Sequence, residues 1–467
     1  MSGIQQSFGF WSSGSSGQPT WISSLGSTVD AGSLSQSTNF LASAIDSSGN
    51  FYQAGYFGAL TPTVGGNTDF IMVKYNKSGT ILWKRIITGV AAAPRFEQLN
   101  GIAVDSDGRI YISGYQKTGA FDMPNTAVVA GYDSNGTYLW SKSFSSYTTI
   151  NVGFYGICIS GAYVIVVGNS NNLGAIWKLD SAGNVLQTIS LYSNYIFDGG
   201  TTKLYKPTID INGNLYVVGN TLWGDPFQGQ TQINNLLLVK LNSTTGAVIW
   251  SRRLSGQIDA YTPRASRGKS VTTDSLGNVF VVGTVQQPGF FGFSAYVAKF
   301  DTNGTLLWQR GFFNNFFDED FSDAVCDSSN NVYVYGKSSY LVGNSLLVKY
   351  DPNGNVIWQR SFNGSNPLAI SISPDSTNLY LTNSQQLSYY GPMFFGIASA
   401  WPTDGSLTGT YNDGTTSWVY AVSTSLQNAT VLTNNVGPII SGVLLPFVEG
   451  FDLSPVSVST LQTLTPT

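Results

Sequence analysis

The residues able to do chemistry are few in kind, and most of them repeat. The chain of 467 residues contains no histidine. That removes the usual general base, the commonest metal ligand and every Ser-His or Cys-His arrangement. The two cysteines, Cys158 (GICIS) and Cys326 (AVCD), sit in comparable strands of different repeats and read as small buried apolar residues, not as a disulfide. Aspartates recur at the turns, as Asp46, Asp105, Asp210, Asp274 and Asp327 in one set and Asp133, Asp301 and Asp351 in another, followed by x-x-G in all but Asp327. Asp105-Ser106-Asp107-Gly108 begins like a calcium loop, but the position of the closing bidentate Glu is Gln116. Asx-turns explain the Asp and a left-handed turn position explains the Gly. No metal, cofactor or catalytic residue is expected, and the chain reads as a non-enzyme.

One acidic cluster exists, Asp318-Glu319-Asp320 with Asp323. A carboxylate pair can hydrolyse a glycoside. Only three Glu are present, Glu97, Glu319 and Glu449, and no partner for such a pair stands out. The cluster reads as a solvated loop, with metal or sugar binding and catalysis as the alternatives. The bases Lys74, Lys178, Lys240, Lys299 and Lys349, with Arg85, Arg253, Arg310 and Arg360, recur once per repeat. Positions that repeat answer to the repeat's own geometry. One strand-to-turn Lys–Asp or Arg–Asp pair per unit is the expectation, in place of a functional ring of charge.

The elements that position these residues follow from self-similarity. One half-motif reads IDSSGNFYQAG, VDSDGRIYISG, IDINGNLYVVG, TDSLGNVFVVG and CDSSNNVYVYG, starting at 45, 104, 209, 273 and 326. The other reads VKYNKSGTILWKR, AGYDSNGTYLWSK, VKLNSTTGAVIWSRR, AKFDTNGTLLWQR and VKYDPNGNVIWQR. Degenerate copies cover 156–187 and 372–409, which makes seven units. Each half-motif alternates, turns at Asp/Asn-Gly and alternates again, as a hairpin does. Two hairpins make a four-stranded antiparallel sheet, and sheets this small must pack radially. The fold class expected is all-β: a seven-bladed β-propeller of four-stranded antiparallel blades with non-propeller N- and C-terminal extensions. Composition agrees, with 10% charged residues, 13% aromatic and 52 glycines. The recurring Trp83, Trp140, Trp250, Trp308 and Trp358 are expected to pack between blades.

The alternation of D-x-x-G-N-x-Y-V-x-G with V-x-K-Y-D-x-x-G-x-x-x-W resembles the bacterial beta-propeller repeat family of the SBBP type. That resemblance implies a scaffold without shared catalytic residues. WD40 blades use Gly-His, which this chain lacks. The Gly-to-Trp gap, clearest in Thr245-Gly246-Ala247-Val248-Ile249-Trp250, is similar to the tryptophan-docking motif of quinoprotein dehydrogenases and reads as shared packing.

Three regions are expected: 1–38 as an arm carrying a ring-closing strand, 39–411 as the propeller and 412–467 as an extension for attachment. Thr20 to Gly26 resembles a detached fourth strand and should pair beside 394–401; closure by 406–411 is the rival. In the blades, the tight D-x-x-G turns share one face and the longer loops share the other. Exposed aromatics gathered on the loop face suit binding. Its first candidates are Trp223, Phe290, Phe291, Phe316, Phe317, Asp318, Glu319 and Asp320. Net charge is −4, the first base is Lys74 and the last is Arg360. Nucleic acid is therefore a poor partner. No apolar stretch would insert in a membrane, and no export signal is seen. These features suggest a structural component of a virus particle, a bacteriophage tail- or capsid-attached propeller. It would contact other virion proteins through its termini and present a face to a host receptor or glycan. A homo-oligomer is compatible with this. The alternatives are a bacterial surface or secreted adhesion propeller and a carbohydrate-active enzyme using carboxylates.

Overall fold

A computed structural model describes residues 21–25, 37–59, 67–87, 95–118, 126–144, 152–170, 173–191, 201–223, 233–254, 256–257, 263–286, 293–312, 318–338, 344–362, 366–386, 394–406, 409–412, 417–422 and 461–462. Every regular element among them is a β-strand, and no helix is long and apolar enough to cross a membrane. The strands form seven four-stranded antiparallel blades in sequence order: 37–87, 95–144, 152–191, 202–254, 266–312, 319–362 and 366–402. The last takes its fourth strand from the other end of the chain. Trp21–Leu25 pairs antiparallel with Phe394–Pro402, Trp21 opposite Ala400 and Leu25 opposite Gly396. Residues 409–412 do not close the ring. With Ser417–Val422 they form a hairpin on the outer edge of blade 6, where Arg360 faces Val422.

A blade of small alternating residues cannot hide its two faces, so the cores lie between blades. Seven buried clusters each join two neighbours. Tyr52 and Met72 of blade 1 meet Leu99 and Ile112 of blade 2. The seventh cluster closes the circle: Trp21, Tyr380 and Ala398 of blade 7 bury against Phe51 and Tyr75 of blade 1. The Trp21 ring stacks on Tyr75 at 5.6 Å.

The repeated Trp docks each outer strand onto the next blade. Its indole N–H donates to a carbonyl in the neighbouring outer turn: Trp83 to Ser134, Trp140 to Ser181, Trp250 to Thr302, Trp308 to Pro352 and Trp358 to Thr403, at 2.8–3.4 Å. Trp21 does the same to Lys77. Blade 3 has no Trp at this place, and Gln187 Nε2 donates to the Thr245 carbonyl instead. The turn Gly has two reasons to be Gly. Gly354 has φ near +80°, and a Cβ there would lie 2.7 Å from the Trp308 ring.

The periodic bases divide into two roles. Lys74, Lys240, Lys299 and Lys349 pair with Asp46, Asp210, Asp274 and Asp327, as expected. Four arginines bond otherwise. Arg85, Arg252, Arg310 and Arg360 lie over the preceding Trp ring and donate Nε to the carbonyls of Gly136, Gly304, Gly354 and Gly405. The member from blade 4 is Arg252, not Arg253, because the strand pleat returns to the same face two residues after Trp250. The turn aspartates act as Asx-turn acceptors: Asp46 Oδ1 accepts from the N–H groups of Ser48 and Asn50. Cys158 and Cys326 are free thiols on the innermost strands of blades 3 and 6, and burial pushes both thiols up in pKa.

Candidate functional site

The innermost strand of every blade breaks register once, at the same place. The shifts fall at Phe40/Ala42, Leu99/Gly101, Phe154/Gly156, Leu204/Lys206, Gly268/Ser270, Phe321/Asp323 and Pro367/Ala369. A bulge adds one residue and re-aims its side chain. The recurrent Gly that ends the first half-motif makes room for it. A Cβ on Gly55, Gly114, Gly219, Gly283 or Gly336 would lie 1.7–2.1 Å from a carbonyl oxygen of the bulged strand.

The extra residues are Leu41, Asn100, Tyr155 and Tyr205 in blades 1 to 4, and Lys269, Ser322 and Leu368 in blades 5 to 7. All seven line a cavity of about 150 Å³ where the innermost strands converge. None is fully buried, whereas the residue on either side of each is, with Lys206, after Tyr205, the one exception. They lie near the middles of these strands, whose starts follow the longer loops. The backbone geometry is repeated seven times while the side chains differ.

The ring is chemically lopsided. Rings of Tyr56, Phe96, Tyr115, Tyr155 and Tyr205 follow one another at 5.7–6.3 Å across blades 1 to 4. Burial pushes the Tyr155 and Tyr205 phenols up, so both remain protonated donors at neutral pH. Charge gathers on blades 4 to 6. The Asp323 carboxylate accepts from Lys206 Nζ, Ser270 Oγ (2.5 Å) and the N–H groups of Ala324 (2.9 Å) and Ile370 (3.0 Å), bracing four blades. Lys269 Nζ is 3.2 Å from Asp320 Oδ2. Asn100 Nδ2 donates to the Phe154 carbonyl at 2.9 Å. Aromatic faces, amides, hydroxyls and balanced ion pairs around a small opening can stack on and hydrogen-bond a hydroxyl-rich ligand.

The residues expected from sequence to bind are distributed differently. Trp223 ends the second strand of blade 4 on the loop side, opposite Ile233. Phe290, Phe291, Phe316 and Phe317 lie outside the described residues. Asp318 is exposed and accepts from the Phe293 N–H at 2.7 Å. The acidic cluster is not a solvated loop: Glu319 is buried and opens the innermost strand of blade 6, and Asp320 pairs with Lys269. Among the described residues, no group of three His, Cys, Asp or Glu could hold a metal ion. The bulge residues went unnoticed in the sequence, although each stands five residues before the turn Asp or the Ser that replaces it.

No protein-family model matches the chain, and no curated protein matches it either. Solved structures share its fold. The polysaccharide lyase Uly1 superposes with a TM-score of 0.50 at 10% identity, over 78% of this chain and 90% of that one. A polysaccharide lyase of family PL25, an ulvan lyase bound to a saccharide, gives 0.47 at 13% identity over 74% and 91%. The periplasmic gluconolactonase PpgL of Pseudomonas aeruginosa gives 0.43 at 13% identity over 73% and 93%. The likeness to Uly1 is one of propeller architecture. It also overturns the expectation that the chain is not an enzyme, which rested on a scaffold-type fold without histidine. Uly1, a polysaccharide lyase, has this architecture, so a propeller fold is no ground for that expectation.

Proposed function

We propose that the chain is a saccharide-recognising propeller of the bacterial repeat type whose ligand enters the loop-face mouth of the central channel. The observation that carries this reading is the ring of seven bulged positions. They are alike in backbone and unlike in side chain, and tyrosine faces stand beside the Lys206–Asp323 and Lys269–Asp320 pairs. The opening is smaller than the roughly 300–1,000 Å³ of pockets that enclose a whole ligand. It suits one sugar residue of a longer glycan, with the loop face carrying the rest. A bacteriophage particle is the setting proposed for such a receptor, supported by the low charge and by end segments without lysine or arginine.

Titration of the full chain against a panel of neutral and acidic polysaccharides tests the site. Tyr205→Ala and Lys269→Ala should each weaken glycan binding about tenfold or more, with melting unchanged. The length of the bound glycan, followed in the same samples, reports cleavage. Undiminished binding in both variants would move the site elsewhere, and a panel without any ligand would remove the reading. Mass spectrometry of purified phage particles tests the setting.

A further inference from the structure

The opposite face, formed by the tight turns, carries its own exception. Four blades build an ammonium site in the same way. The lysine of the third strand approaches the turn Asp at 3.1–3.9 Å. It lies 4.8–5.1 Å from the ring centre of Tyr52, Tyr216, Phe280 or Tyr333. In three of the four it also donates to the carbonyl of the next blade that receives the docking Trp: Ser134, Thr302 or Pro352.

Blade 2 has every acceptor of this site and no lysine. Asp105 holds the turn, Tyr111 supplies the ring, and the Ser181 carbonyl receives Trp140. The lysine position is Gly131, paired with Tyr111 as Lys74 is with Tyr52. The turn's second donor has changed as well. Asn50, Asn214, Asn278 and Asn331 donate Nδ2 to their aspartates. In blade 2 this residue is Arg109, whose guanidinium lies 3.7 Å from Asp107. Asp105 Oδ2 is left with the Tyr111 hydroxyl at 2.9 Å. The facing turn of blade 3, Ser160 to Tyr163, is one residue shorter than its counterparts. The result is a cavity of about 200 Å³ lined by Asp105, Asp107, Arg109, Tyr111, Tyr163 and Ser181.

We propose that this cavity binds a primary ammonium group carried by another molecule, held between the Asp105 carboxylate, the Tyr111 ring and the Ser181 carbonyl. The chain itself shows this whole geometry three times, with Lys74, Lys240 and Lys299 as the ligand, and its carboxylate and ring a fourth time at Lys349. Two carboxylates against one guanidinium leave the cavity negative. The space exceeds an ammonium and accepts part of an alkyl stem. The site is on the face away from the channel mouth and does not depend on the saccharide reading.

The test is a titration of the full chain with n-butylammonium, with n-butanol as the neutral probe of equal length and Nα-acetyl-lysine amide as the mimic of a protein lysine. n-Butylammonium should bind saturably in the millimolar range and n-butanol should not. Asp105→Asn should weaken the ammonium about tenfold or more, the size of a lost charge-assisted hydrogen bond. Its melting should be unchanged, because Asn76 and Asn242 hold comparable turns in this chain. Tighter binding of the lysine amide than of n-butylammonium assigns a protein partner, and equal or weaker binding assigns a small amine. Equal affinity in Asp105→Asn, equal binding of n-butanol, or no saturable binding by either amine overturns the proposal.

Discussion

Truncation of Trp308 to alanine probes the docking that holds the ring together. The side chain is 9% exposed and belongs to the core between blades 5 and 6. Its ring meets Phe280 edge-on at 5.8 Å and Tyr350 at 6.0 Å, and Nε1 donates to the Pro352 carbonyl at 2.9 Å. Arg310 covers it from outside at 5.5 Å. Loss of a buried indole costs about 3–5 kcal/mol, cavity included. For roughly 370 residues unfolding as one unit, about 2 cal/mol/K of entropy per residue converts 4 kcal/mol into about 5 °C of melting temperature. Trp308→Phe keeps most of the packing and removes the hydrogen bond, so its loss should be about 1–2 kcal/mol. Leu307→Ala, at a neighbouring side chain that is 51% exposed, is the control and should change little. Calorimetry and urea unfolding measure all three. Unchanged melting in Trp308→Ala, or an equal loss in Leu307→Ala, would show that the Trp ring does not dock the blades.

Deletion of residues 1–27 should lower melting by several degrees and promote association, because it uncovers the Phe394–Pro402 edge and the faces of Tyr75 and Tyr380 now covered by Trp21; a stable monomer with unchanged melting refutes closure by this strand. Stability should be flat between pH 5 and 8, since no histidine titrates there, and should fall in acid. Burial acts to raise the Asp46 and Asp327 carboxyls, but hydrogen bonds from Asn50 and Asn331, from Tyr52 and Tyr333, and the nearby Lys74 and Lys349 outweigh it and leave both below the usual 3.8. A depressed folded pKa gives stability that is present above the unfolded pKa and lost as pH drops through the folded one. Urea unfolding at pH 7, 5, 4 and 3 checks this, and a midpoint that holds to pH 3 contradicts it.

The fold was legible because its rules act locally and repeat. D-x-x-G marks most turns, alternation marks the strands, and a Trp four residues after the turn Gly marks five of the outer strands. Closure was legible for the same reason: Trp21 is followed by a run like the one after Trp250. The channel ring was not visible by that route, because alternation runs straight through a bulge. Register is decided across strands, where the Gly ending each first half-motif admits a carbonyl that any Cβ would exclude. Counting back from the turn aligns Leu, Asn, Tyr, Tyr, Lys, Ser and Leu at one position, five residues before the turn Asp or Ser. The choice of Arg252 over Arg253 needed the pleat, since the Trp250-Ser251-Arg252-Arg253 run offers both.

In a closed ring of near-identical blades, a position that every blade fills alike is accounted for by docking, and its chemistry is spent on the neighbour. Lys240 shows this, held between Asp210 and the Thr302 carbonyl. Lys206 differs. It lies across the channel from its acid, and its side chain is 36% exposed. The Asp323 carboxylate also accepts from Ser270, Ala324 and Ile370. Lys206 can therefore turn to a ligand hydroxyl while Asp323 keeps three donors, so the usual penalty of leaving a buried carboxylate unpaired is largely avoided. The brace among blades 5 to 7 persists through the Ser270 and Ile370 bonds. On the proposed saccharide reading, Lys206 can leave its pair while Asp323 stays bonded to blades 5 and 7, which is the condition a preorganised site must meet.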